Sequence, residues 1–490
     1  MATRAAGLVW GWLVVVACCG TSAGAEFTAV AGFDQQLFPS YLIATAGIRL
    51  DKGQADPTRL GDPTGQLGVD LVAPAQNTPV QVTIECDDIM EPSVFSGTLA
   101  AEGTTYRITP KVKYRYGLLA QWEQTAPVTI TYRVRVGKSV EQEQSVTCTM
   151  RSINDCPFLF RDGDAVLDAS FTFAAYVNEQ HPFVDKLLRE ALDRAVVTKF
   201  TGYQTGRTEE VLQQAYALWD LLVARDIRYS SITATAVESD TVISQHVRLI
   251  EDSINNSQAN CVDGSVLWVS LLRKIGIDAF LVVTPNHCYA GFYLDAKRKQ
   301  VYAVETTLLG SEVTEAEIRI PRRIAKAIPV ELRYEESFAS FVAALETGTK
   351  AYEASKAEAA KATAGQPVGK ARESSAEQTA VPIQVIDIAL MRRRGVLPIA
   401  FQNRVEFVGY DFRYVPEEEA PAEEGDAAAM DAPVDATGDE AASDSAAEPA
   451  AESEGEMDAE PASETVRAPR KVKRGPTILD TVGSGVYRRE

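Results

Sequence analysis

The sequence predicts two folded domains in series, an all-β sandwich and then an α+β domain, followed by an acidic tail without fixed structure. Three observations carry this expectation. Apolar and polar residues alternate from residue 26 to about 153, helical spacing of apolar residues takes over after Pro182, and eighteen acidic side chains with no Lys or Arg lie between Glu417 and Glu464. A length of 490 residues leaves room for two ordinary domains, at ~100–200 residues each, plus tails.

The chain opens with Arg4, an apolar run over 8–19 and small residues ending Ala23-Gly24-Ala25, the layout of a secretory signal. Residues 1–25 are therefore set apart as a signal peptide. An exported protein is expected, whether periplasmic, at the cell surface or extracellular. A second reading stays open: Val15-Val16-Ala17-Cys18 resembles a loose bacterial lipobox, which would make Cys18 a lipid anchor. The run is poorly suited to a permanent span of about 20 apolar residues, and no later run is adequate, so no transmembrane span is expected in the mature chain. Cleavage after Ala25 leaves Cys86, Cys148, Cys156, Cys261 and Cys288, an odd number. In an oxidising compartment at least one thiol then has no partner within the chain.

In residues 26–153 each strand has one apolar face. Val80, Val82, Ile84 and Cys86 alternate with polar residues, as do Val128, Ile130, Tyr132, Val134 and Val136, and again Val146, Cys148 and Met150. Clusters such as Asp62-Pro63-Thr64-Gly65 separate the runs, so an antiparallel sandwich of immunoglobulin-like type is the expected architecture. Cys86 and Cys148 share the inward face and can bridge the core. Cys148 with Cys156 is a rival pairing, and two reduced core cysteines are a third reading. No chemistry is visible in this domain.

Beyond it, Val184, Leu187, Leu188, Ala191 and Leu192 form one helical stripe and Val211, Leu212, Ala215, Leu218, Leu221 and Leu222 another. A third helix is expected from 241 to about 254. His181 and His246 have no Cys or carboxylate at ligand spacing and read as structural. An exposed Ala/Lys/Glu-rich helix over 338–362 and short apolar segments at 381–390 and 396–408 are expected to form an extension over 347–415. The net charge of −20 belongs to the tail, since removing its eighteen acids leaves the remainder near −2. Such composition cannot bury enough apolar surface to offset chain entropy, so residues 416–490 read as disordered, acidic and then basic at Arg470, Lys471, Lys473 and Arg474. The basic stretch is short and the protein exported, which argues against nucleic acid as a partner.

The informative stretch runs Asn260-Cys-Val-Asp-Gly-Ser-Val-Leu-Trp and on to Gly276, then Pro285-Asn286-His287 and Val301-Tyr-Ala-Val-Glu305. Cys261 stands where a loop becomes a helix that Gly276 stops. Unpaired N–H groups and the positive dipole end at a helix start favour thiolate, the form that attacks an acyl carbon. The same N–H groups can hold the resulting oxyanion. Strands are expected over 280–284 and 287–294, with a return along 299–305. With Asp295-Ala296-Lys297 as the hairpin loop, 293 pairs with 299 and 287 with 305, so Glu305 faces His287 with Cβ atoms about 4.5–5.5 Å apart. A slip of two residues keeps the face but makes the pair diagonal. Cys288 is expected on the other face. Asp295 lies about 26 Å along the strand from His287, at ~3.3 Å per residue, and is excluded. Asp263, two residues after the sulfur on a helix, shares no face with it. No metal-ligand cluster, phosphate loop or cofactor motif occurs, so neither cofactor nor metal is expected.

Ala224-Arg-Asp-Ile-Arg-Tyr229, Asn260-Cys261, Leu271-Leu-Arg-Lys-Ile-Gly276, His287-Cys-Tyr289 and Glu305-Thr-Thr307 stand in one order. Together they resemble the core of the transglutaminase-like superfamily, a papain-type thiol fold, over residues 154–346. The resemblance implies Cys261 as nucleophile, His287 as its base and Glu305 as the acid that orients the imidazole, with Tyr229 as the candidate aromatic at the oxyanion site. Ala259 stands where the family commonly has Gly, His-Cys-Tyr where it has His-Ala-Trp, and Glu305 where it has Asp in an Asp-Pro-Thr setting. These departures bear on activity rather than fold. The implied activity is thiol acyl chemistry on amide bonds of a protein or peptide, as a cysteine-dependent amidase or peptidase or a transglutaminase-type acyltransferase. The alternative is a catalytically silent domain that binds a protein or peptide.

Overall fold

The computed structural model describes residues 26–48, 56–162, 165–230, 239, 241–284, 287–364 and 383–412. The expected signal peptide, Cys18 and the tail from 416 lie outside the described residues.

Period-two sequence builds the first unit. In strand Thr78–Glu85 alternate residues from Thr78 are buried, and Val82 and Ile84 are wholly so. This strand lies in a five-stranded sheet of order Gln36–Leu37, Gln142–Met150, Ala126–Val136, Thr78–Glu85, Ser93–Leu99. A second sheet has the order Phe27–Ala31, Leu67–Val72, Thr105–Thr109, Arg59–Gly61. Val69, Leu71 and Ile108 from one sheet and Val82, Ile130 and Tyr132 from the other share one core. Tyr132 Oη donates from the one sheet to Val30 O of the other at 3.1 Å. Two short contacts are parallel, Gln36–Leu37 with Thr149 and Met150, and Arg59–Gly61 with residues 107–109, so the arrangement is not purely antiparallel as the alternation predicts. Cys86, Cys148 and Cys156 are buried free thiols. Helix Pro39–Thr45, buried throughout, has no counterpart in the predicted run of strands. Its proline sits at the helix start, where a missing N–H costs nothing. Ser40 Oγ donates to Asp155 O at 2.7 Å, where the second unit begins.

The second unit is organised around helix Cys261–Lys274. One side packs on an antiparallel sheet of order Val301–Val304, Cys288–Tyr293, Ala279–Val283, Gln384–Asp387; the others meet helices Pro182–Asp193 and Thr208–Ala224. Of the two predicted stripes, Val184, Leu187 and Ala191 are buried in one and all six residues in the other. Residues 241–254 are not one helix: Val242–His246 is a strand paired with Asp155–Asp162, and a short helix, Ile250–Asn255, follows. Val242 and Ser244 are buried while Ile243 and Gln245 are half-buried, a period of two that β-branched side chains suit.

The Ala/Lys/Glu-rich helix spans Glu335–Ala364, crossing the boundary expected at 346. Its first half is not exposed. Phe338, Phe341, Val342 and Leu345 are buried, and Phe341 packs against Tyr216 and Trp219. Further along, the helix closes over the edge strand Val301–Val304: a Cβ on Gly348 would come within 2.6 Å of Ala303 C and Val304 N. Glu305 N donates to Ala344 O at 3.0 Å, so this contact also fixes the residue after the strand. Gly348→Val is therefore expected to cost at least about 1–3 kcal/mol through overpacking against backbone. A urea midpoint equal to that of the wild type would refute so close an approach. Among the described residues no helix is long and apolar enough to cross a membrane.

Candidate active site

Cys261 is the first residue of its helix, and local sequence chemistry sets that start. Asn260 Oδ1 accepts from Val262 N at 2.8 Å and Asp263 N at 2.9 Å, while Asp263 Oδ2 accepts from Asn260 N at 3.0 Å. This reciprocal capping box satisfies N–H groups that the helix leaves unpaired. Asp263 also accepts from Arg248, from the backbone N at 2.8 Å and Nη1 at 2.7 Å. Burial dominates at Asp263 and raises its carboxyl in spite of these donors. The pattern Asn-x-x-Asp was available as a signal for the cap; Arg248, reaching across from outside the helix, was not. Asn260→Ala is expected to cost about 1 kcal/mol in urea unfolding, and a change within error would show that the cap does not hold the cysteine turn.

A second set of contacts clips this turn to the acid. Ser265 Oγ donates to Cys261 O at 2.7 Å and lies 3.0 Å from Thr306 Oγ1, which itself donates to Cys261 O at 3.3 Å. Glu305 starts the short 3-10 turn Thr306–Leu308, so the carboxylate side chain leaves the strand where the chain bends onto the cysteine helix.

His287 Nε2 lies 2.7 Å from Glu305 Oε2. The other carboxylate oxygen accepts from Thr307 Oγ1 at 2.7 Å and Thr307 N at 3.2 Å. With Nε2 engaged, Nδ1 is the ring nitrogen left for the sulfur. A hydrogen bond with the Cys261 thiol and then the one with Glu305 push His287 up to about 10, against the opposing effect of burial. At Glu305 burial works to raise the carboxyl, but the bonds from His287 and Thr307 outweigh it and hold the group below the usual range. Cys261 is half-buried and the His287 side chain is 33% exposed, so both are open to a small reagent.

The hairpin register differs from the one predicted. Tyr293 pairs with Val301 and Ala290 with Val304, a slip of two residues, because Leu294 N reaches Gln300 O and the loop takes in 295–299. Asp295 stabilises that longer loop by accepting from the backbone N of Lys297, Lys299 and Gln300. Carried one step on, the register sets Glu305 level with Tyr289, diagonal to His287. The extra methylene of Glu over Asp supplies reach for that diagonal. Cys288 shares its strand face with Ala290 and Phe292, as expected, and that face packs on the cysteine helix, with Phe292 edge-to-face against Trp268 at 5.2 Å. Burial first, and the neighbouring Cys261 after it, raise the Cys288 thiol, which hydrogen-bonds Ser265.

Tyr229 lies in strand Arg228–Tyr229, which pairs in parallel with Gln258–Ala259, one residue short of the cysteine. It is 44% exposed, and its phenol is raised by burial and then by Cys261 and Glu305, which places it beside the site. The other two histidines stand apart. His181 caps helix Pro182–Asp193 and pairs with buried Glu251 at 3.0 Å, and His246 ends a strand.

Neither the protein-family models nor the curated proteins compared with this chain give a match.

Proposed function

We propose that this is an exported thiol enzyme of transglutaminase-like type, acting on amide bonds of proteins or peptides through an acyl-enzyme. The observation that carries the reading is a thiol at a capped helix start beside an imidazole whose Nε2 is held at 2.7 Å by a buried carboxylate. In this mechanism the Cys261 sulfur attacks the amide carbon, forming the C–S bond, and the carbonyl electron pair moves to oxygen. Backbone N–H groups at the helix start receive that oxyanion, with Tyr229 at its side. The imidazolium of His287 protonates the departing nitrogen, the C–N bond breaks and a thioester remains. His287 then takes a proton from water or an amine as it attacks the thioester, and the thiolate leaves. Glu305 fixes the imidazole orientation throughout.

The test is a burst of about one equivalent of p-nitrophenolate from p-nitrophenyl acetate, with the acetyl group located on Cys261 by intact-mass and peptide mass spectrometry. Cys261→Ser and His287→Ala are expected to abolish the burst, and Glu305→Gln to reduce acylation by about 10²-fold or more. Acylation that persists unchanged in His287→Ala would instead favour a silent domain that binds a protein or peptide.

A further inference from the structure

A second thiol lies under the nucleophile. The chain leaves helix Cys261–Lys274 through Gly276, whose φ is +80°, and enters strand Ala279–Val283, which is antiparallel to strand Cys288–Tyr293. Helix and second strand therefore run the same way. At one end of their contact Trp268 meets Phe292, with centroids 5.2 Å apart. From 268 back to 261 at ~1.5 Å per residue, and from 292 back to 288 at ~3.3 Å per residue, the distances are both about 10–13 Å, so Cys261 comes level with Cys288. The helix has then made close to two full turns and the strand has kept its face, so both side chains point into the same layer. Ser265 and Ala290, at the level between, are small and wholly buried, and they let the helix approach the strand closely. The Cys288 thiol hydrogen-bonds Ser265, whose Oγ donates to Cys261 O at 2.7 Å.

We propose that Cys261 and Cys288 form a redox modification site, in which a hydroperoxide oxidises Cys261 and Cys288 resolves it as a reversible disulfide. The inference rests on the reading of Cys261 as the reactive thiol. In the first step the Cys261 thiolate attacks the peroxide oxygen that carries hydrogen. The S–O bond forms, the O–O bond breaks, and the departing alkoxide takes the proton of the His287 imidazolium; sulfur loses the two electrons that the peroxide gains. In the second step the Cys288 sulfur attacks the sulfenic sulfur of Cys261. The S–S bond forms, the S–O bond breaks, and hydroxide leaves with the Cys288 proton as water. The surroundings divide the roles. Cys261 is half-buried beside His287, within reach of a small peroxide, whereas Cys288 is 1% exposed, and burial first and Cys261 after it raise its thiol. Cys288 therefore stays reduced until a sulfenic sulfur appears above it. The bridge withdraws the nucleophile from acyl chemistry and protects it from oxidation beyond the sulfenic level, which is irreversible. Cys156 is the rival partner of Cys288: it is buried, and burial, Asp155 and then Cys288 raise its thiol.

The test treats the reduced full chain with a small excess of hydrogen peroxide, blocks the remaining thiols with N-ethylmaleimide under denaturing conditions, and maps peptides without reductant. A peptide pair joining Cys261 to Cys288 is expected, together with loss of the p-nitrophenolate burst and its recovery in dithiothreitol. In Cys288→Ala, which keeps a small residue under the helix, the recovered burst is expected to fall by about fivefold or more, with Cys261 found as sulfinic or sulfonic acid. The burst of that variant before peroxide shows that it is folded. Cys156→Ala should leave the joined pair unchanged. A bridge joining Cys156 to Cys288, no bridge at all while peroxide abolishes the burst, or equal recovery in Cys288→Ala would each overturn the proposal and leave the acyl-enzyme reading standing. A bridge joining Cys261 to Cys288 in a chain that shows no burst would support the proposal and remove that reading.

Discussion

In the His287→Ala variant, alkylation of Cys261 by iodoacetamide at pH 7 is expected to fall by about tenfold or more. A protonated imidazole beside the sulfur stabilises the negative charge that the attacking sulfur carries, and Ala removes it. His287 keeps its proton up to about 10 because the Cys261 thiol and the Glu305 carboxylate both bind it. The wild-type rate is therefore expected to change as His287 loses its proton near pH 10, a step that the variant lacks. The other four cysteines among the described residues are buried, and peptide mass spectrometry assigns the label to Cys261. The same proton enters stability. A group raised from 6.5 in the unfolded chain to about 10 in the fold stabilises fully below about pH 6.5 and loses that contribution as pH rises through about 10. The urea-midpoint advantage of wild type over His287→Ala should shrink across that window. A variant that alkylates as fast as wild type would remove the imidazole from the argument.

What the sequence made legible follows from how local each signal is. The helix from Cys261 was readable because Gly276 marks its stop, whereas the Asn260 cap that fixes its start was in the sequence and was not used. The shared neighbourhood of His287 and Glu305 was readable because a hairpin joins them; the register was not, because it depends on Asp295 gathering three backbone N–H groups into a longer loop. Residues 241–254 were misread because a short apolar run fits either period. The Glu335–Ala364 helix was misplaced for a different reason. Alanine-rich composition suits an exposed helix, and only the tertiary partners Tyr216 and Trp219 explain the burial of its first turns. Arg248 and Thr306 were missed because each meets the cysteine helix from elsewhere in the chain.

The largest stability effect is expected at a pair that composition alone would place on the surface. Arg225 is 0% exposed at its side chain and Glu190 7%, with Nη1 and Oε2 2.5 Å apart. A segment without helix or strand, residues 396–412, runs back over this pair. Arg225 Nη2 donates to Val408 O at 2.8 Å, Tyr410 N donates to Glu190 Oε1 at 2.9 Å, and the guanidinium lies 4.4 Å from the Tyr410 ring centroid. Glu190→Gln keeps an oxygen for Tyr410 but leaves Arg225 buried without its counter-charge, which is expected to cost about 3–5 kcal/mol in urea unfolding. Replacing both residues by Met should recover most of that loss, because a buried pair roughly balances its own desolvation. The consequence reaches the thiol. Arg225 O accepts from Ser257 Oγ at 3.2 Å and Ser257 O accepts from Arg228 N at 3.1 Å, so the pair anchors the strand that sets Tyr229 beside Ala259. Glu190→Gln should therefore also slow acylation of Cys261 at temperatures well below unfolding. A cost under about 1 kcal/mol would mean that water reaches Arg225 and that the pair is not the anchor its burial implies.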